Sequence, residues 1–69
     1  MTWKDRLEQC SRILEMCSEI DGEGRDFADS VSEKVDSIAT WIEANERSTA
    51  KMDDALDNIE AGCQKWLNR

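Results

Sequence analysis

Histidine, proline and tyrosine are absent from this chain of 69 residues, and glycine occurs only three times. The missing histidine removes the imidazole general base, the His-dependent catalytic triad and the common zinc sites. With no proline and little glycine, few positions break a helix, so the expectation is an all-α chain with short turns. No run of about 18 apolar residues occurs, and no membrane span is expected. Bases are also scarce, with nine Lys and Arg against 16 Asp and Glu and a formal net charge of -7. A nucleic-acid binder presents a basic stripe, so direct binding to a phosphate backbone is not expected.

The three cysteines have no C-x-x-C spacing, which removes the usual thiolate metal and redox motifs. Cys10 and Cys17 stand two helical turns apart, roughly 10 Å by helical rise and beyond disulfide reach. All three fall on apolar faces, so reduced core thiols in a reducing, cytoplasmic setting are expected. A pairing of Cys63 with Cys10 or Cys17 stays open, because parallel first and third helices would bring them together. The opening Met1, Thr2, Trp3, Lys4, Asp5 runs into an amphipathic pattern with acids in it, which fits neither a secretory nor a transit peptide.

What is present is periodicity. Phe27, Val31, Val35, Ile38 and Ile42 recur at spacings of 4, 4, 3 and 4, the clearest amphipathic stretch of the chain. Trp3, Leu7, Cys10, Leu14 and Cys17 repeat at 4, 3, 4 and 3, and so do Met52, Leu56, Ile59, Cys63 and Trp66. Thr2 with Asp5 three residues on resembles a capping box, and Gly22 and Gly24 suit the left-handed or tight positions that end a helix. Asn45 suits a C-cap, Ser48 or Thr49 an N-cap, and small Ala55 and Gly62 allow close helix approach. A single domain over 1–69 is expected, with helices at about 3–20, 25–45 and 49–67 and fraying at Asn68 and Arg69. An antiparallel three-helix bundle is the economical arrangement. The seven-residue register also runs unbroken from Trp3 to Trp66, so a long-helix form paired with a second copy is the alternative.

The acids are unevenly spread. Glu15, Glu19, Asp21, Glu23, Asp26, Asp29, Glu33 and Asp36 face only Arg25 and Lys34 in the same stretch, so eight acids less two bases put six of the seven net negative charges there. Asp26 and Asp29 suit the positive end of a helix dipole, whereas Glu15, Glu19 and Asp21 crowd a negative end. Local stability does not explain them, which leaves solubility or binding. Carboxylates on convex helical faces lack the desolvation that catalytic pairs need, so no catalytic residue is assigned. A calcium loop counted from Asp21 has Asp26 at the sixth position and Ser32 at the twelfth, where Gly and Glu are required, so neither metal nor cofactor is expected. Trp41 lies at the margin of its stripe and is the aromatic best placed to anchor a partner.

Thr49, Lys51, Leu56 and Ile59, with Phe27 upstream, resemble the T-x-K-Q-x-x-x-L-x-x-I helical-hairpin pattern of phage and bacterial DNA-transaction proteins, with Met52 where that pattern has Gln. The resemblance covers about a third of the chain and implies a phage or mobile-element protein, with no site residue carried over. The expected function is that of a small acidic, non-enzymatic inhibitor or regulator. Its partner would be a protein with a basic surface, of the nucleic-acid-handling class, met by the eight acids and Trp41 through a DNA-mimicking face. The alternative is a homo-oligomeric structural or assembly subunit joined through Ile13, Met16, Ile20 and Trp41.

Overall fold

The computed structural model describes residues 2–68. Helix α1, Trp3–Glu19, begins on a reciprocal cap: Asp5 N–H donates to Thr2 Oγ1 at 3.3 Å, and Thr2 N–H donates to Asp5 Oδ2 at 3.0 Å. Asp thus fills the role that Glu or Gln has in the usual box, satisfying two backbone donors at the helix start. Ile20 and Asp21 are extended, Gly22 takes a φ of +64°, and a single 3-10 turn, Gly22–Gly24, leads into helix α2, Arg25–Asn45. Helix α3, Ala50–Leu67, starts where Thr49 Oγ1 accepts from Met52 N–H at 3.1 Å. Asn68 closes it with an N–H donated to Gln64 O at 3.0 Å, while Arg69 lies outside the described residues.

The three helices form an antiparallel bundle, in which α1 and α3 run parallel on either side of their shared seam. The core is Cys10, Ile13, Cys17, Ile20, Ala28, Val35, Ile42, Leu56 and Cys63. Ile13, Ile42 and Leu56 are fully buried, each contributing about 1.5–3 kcal/mol of apolar transfer. Helix α1, rather than the more evidently amphipathic α2, is the hub: it packs against both other helices, which touch each other far less.

Two glycines mark close approaches. A Cβ on Gly24 would lie 2.5 Å from Ile20 Cγ2 and 2.9 Å from the Trp66 ring, and one on Gly62 would lie 2.9 Å from Phe27 Cζ. Phe27 and Trp66 therefore lie over small residues, their ring centroids 6.3 Å apart, and join the start of α2 to the end of α3. The second turn departs from expectation. Asn45 stays inside α2 and donates its side-chain amide to Trp41 O at 2.8 Å, so the left-handed position falls one residue later, on Glu46, at φ 52°. A residue with a Cβ is strained there.

Gly24 has an ordinary backbone conformation, so an alanine there should stabilise the chain by reducing unfolded-state entropy unless sterics dominate. The contacts with Ile20 and Trp66 decide the sign, and Gly24→Ala is expected to lower unfolding stability by about 1–3 kcal/mol. Glu46→Gly, in contrast, is expected to raise it by about 0.5–1 kcal/mol by relieving the left-handed strain. Urea denaturation of the two variants beside the parent checks both signs.

Candidate functional site

Two groups of acidic residues have different surroundings; Asp5, in the α1 cap, and the exposed Glu8, Glu43, Glu46 and Asp54 belong to neither. On α3, Asp53, Asp57 and Glu60 are tied to α1. Arg6 Nη1 donates to Asp57 Oδ1 at 3.0 Å and to Gln9 Oε1 at 2.7 Å. Gln9 Nε2 donates to Asp57 Oδ1 at 2.9 Å and to Glu60 Oε1 at 3.1 Å, and Arg12 Nε reaches Glu60 Oε2 at 3.4 Å. Arg6 Nε also lies 3.0 Å from Asp53 Oδ1, a Coulombic contact without hydrogen-bond alignment. Gln9, only 4% exposed, is the node of this seam. The Gln9 amide, followed by the Arg6 guanidinium, holds the Asp57 carboxyl below its ordinary pKa of 3.8. These residues carry no signal in a hydropathy pattern; their meaning comes from partners 48 to 51 positions away.

The second group is the acidic stretch around the first turn. Glu15 and Glu19 lie on α1, Asp21 and Glu23 in the turn, and Asp26, Asp29, Glu33 and Asp36 on α2; all eight are exposed. The turn gathers the end of α1 and the start of α2 at one end of the bundle. Among the described residues, the carboxylates of Glu15, Glu19, Asp21, Asp26, Glu33 and Asp36 form no ion pair. Asp29 does, with Arg25 Nη2 at 2.9 Å, both ends being more than half exposed, so the contact is weak.

Arg25 alters the expectation that nothing offsets the dipole at the end of α1. That helix has no base in its last turn, but Arg25 Nη1 reaches back across the glycine turn to Cys17 O and Ile20 O, each at 3.4 Å. A cation from the next helix thus serves the carbonyls that α1 leaves open. One of the two bases within the acidic stretch is committed to structure in this way.

Trp41 is half-buried against the core, with the Arg47 guanidinium 5.7 Å from its ring centroid. The proposed self-association patch is reduced: Ile13 is 0% and Ile20 3% exposed, so both are core, leaving half-buried Met16 and Trp41. The physical reason is that α1 has two neighbours, and its stripe is correspondingly wide. Leu67, at 37%, is the exposed large hydrophobic among the described residues. The concavity at Thr40, Glu43 and Ala44 is a shallow depression open to solvent, and no group of three or more metal-ligating side chains converges among the described residues.

Replacing Gln9 by Leu removes a buried amide that binds Arg6, Asp57 and Glu60 together, and is expected to cost about 1–3 kcal/mol of stability. The pH dependence supplies a second readout. Because Asp57 has a depressed pKa in the folded state, its contribution is complete above the ordinary carboxylate pKa and is lost as pH falls through the lower folded value. Urea midpoints measured from neutral pH down to about pH 2 should therefore fall below about pH 4 in the parent. They should fall less steeply there in Gln9→Leu, in which the main cause of the shift is gone.

Compared with protein-family models, with curated proteins and with solved structures, the chain matches none, and burial, charge and geometry are what bear on its function.

Proposed function

We propose that this chain is a small, non-enzymatic binding protein of the cytoplasm that lays its acidic end on a basic face of another protein and inhibits or regulates it. The partner class is a nucleic-acid-handling protein, whose phosphate-binding surface the carboxylates occupy as a DNA mimic. A phage or mobile-element origin belongs to the same proposal, on the resemblance of Thr49, Lys51, Leu56 and Ile59 to the helical-hairpin pattern.

The observation that carries this reading is the contrast between the two groups of acids. Asp53, Asp57 and Glu60 are used to join helices, whereas Glu15, Glu19, Asp21, Asp26, Glu33 and Asp36 are exposed and form no ion pair among the described residues. Glu15, Glu19 and Asp21 also lie where the α1 dipole disfavours them. Exposed acids gathered at one end of the bundle, three of them held against local stability, are available to a basic partner. Along α2, Asp26, Asp29, Glu33 and Asp36 follow one another at 3, 4 and 3 residues, a spacing of roughly 5–6 Å between neighbours. Phosphates follow at about 3.4 Å of rise along each DNA strand, a separation of the same order.

The test uses Glu19→Gln, Glu33→Gln and Asp36→Asn together, which preserve shape and remove three exposed charges. Circular dichroism and urea denaturation are expected to show an intact fold of equal or slightly higher stability, since Glu19 opposes the α1 dipole. Binding to a partner captured at low salt is expected to weaken by about 0.5–1 kcal/mol per charge removed. It should also weaken as salt rises from about 0.05 M to about 0.5 M, and be displaced by duplex DNA. Unchanged affinity in the triple variant would remove the mimic reading and direct attention to Trp41.

A further inference from the structure

Outside the acidic surface, the most specific arrangement of reactive groups lies in the core between the parallel helices. Cys17 Sγ, in the last turns of α1, and Cys63 Sγ, in the last turns of α3, are 3.9 Å apart and both thiols are free. Cys10, two turns earlier on α1, is buried and has no sulfur neighbour of this kind among the described residues. A disulfide needs about 2.05 Å between sulfurs, so the two atoms have to close by about 2 Å, through rotation of the two side chains together with adjustment of the helix ends.

We infer that Cys17 and Cys63 are a redox modification site: they form a reversible intramolecular disulfide that latches the end of α1 to the end of α3, with a low-molecular-weight disulfide as the oxidant. In the first step, one protein thiol loses its proton and the thiolate attacks a sulfur of the small disulfide, expelling one small thiolate. In the second, the other cysteine loses its proton and attacks the protein-side sulfur of the mixed disulfide, expelling the second. One S–S bond forms in the protein, one is broken in the oxidant, two electrons pass to the oxidant, and both protons end on the released small thiols.

The seam explains why this pair matters. Going along α1, Arg6 meets Asp53 and Asp57, Gln9 meets Asp57 and Glu60, Arg12 meets Glu60, and Cys17 meets Cys63. Polar contacts fasten the first part of the seam. Beyond Arg12 the two buried thiols face each other across the seam. A bond there closes a loop with its ends 46 positions apart, long enough for a large loss of unfolded-state freedom.

Burial also sets the rate. Desolvation, reinforced by the neighbouring Cys17, pushes the Cys63 thiol up to about 12, which makes it a poor attacking thiolate, and the burial of both sulfurs keeps a small disulfide from reaching either in the closed bundle. Oxidation accordingly proceeds through opening of the helix ends, and dilute urea below the unfolding transition should accelerate it. The latch does not depend on what the acidic surface binds.

The experiment incubates the folded, reduced protein with oxidised glutathione, then counts thiols by alkylation in denaturant and maps the peptides. The expected product is monomeric, has one alkylatable thiol in place of three, and carries that label on Cys10. Its melting temperature should rise by roughly 10–20 °C and return to the starting value with a dithiol reductant. Cys10→Ala should retain the rise, while Cys17→Ala and Cys63→Ala should lose it. The peptide map of the parent decides the matter even if a variant fails to fold. Three thiols remaining, a stable glutathione adduct, a bond to Cys10, a bond between two chains, or a Cys17–Cys63 bond without a higher melting temperature would each overturn the latch.

Discussion

Helix α1 has to be covered on two sides, and the remainder of the bundle depends on how that is done. One side meets α2 through a conventional apolar stripe. The other meets α3 through a seam that is polar from Arg6 to Arg12 and apolar beyond, with Ile13 at 0% exposure at the junction. Because α2 and α3 touch little, α3 owes its position chiefly to α1. A purely apolar seam would tolerate sliding by a turn. Gln9, bound to both Asp57 and Glu60, defines a single parallel register at the cost of desolvating an amide and part of a guanidinium.

Charge is thereby divided between two purposes. Asp57 and Glu60 of α3 complete a hydrogen-bonding network, and the environment of Asp57 is legible in its lowered pKa. The acids at the first turn gain little from the fold, and some are placed against it. Arg25 moderates that conflict by donating to Cys17 O and Ile20 O from across the turn. The bundle therefore tolerates a concentrated negative surface at one end.

The helices and their antiparallel packing were legible because their causes are local. The Thr2 and Asp5 cap, the apolar repeats and the glycine turn each act within a few residues. Gly62 could also be read as a close-approach site, although Phe27 as its neighbour could not. Ile13 and Ile20 flank the α1 stripe in the sequence, but that both are core rather than part of a self-association face depends on how many helices adjoin α1, which the pattern does not give. The Gln9 node escaped because a lone glutamine within a charged helix resembles any solvated residue until α3 is in place. Glu46 in the left-handed position was missed for a different reason: Asn45 has the better propensity, but its amide is engaged with Trp41 O. Of the acidic candidates, the sequence supplied the exposed positions but not the pairing of Asp29 or the inward reach of Arg25.

The parallel course of α1 and α3 gives the molecule a polarity. The chain enters at the end where Thr2 caps α1 and leaves at the opposite end, where Trp66 lies over Gly24 and Phe27. That exit is beside the acidic turn. An affinity handle or reporter domain joined behind α3 would emerge next to the carboxylates and crowd them, whereas one joined ahead of α1 is separated from them by the length of a helix. Attachment chemistry on this scaffold is thus unequal at its two ends, and immobilising it through the front of α1 presents the acidic end outward to solution.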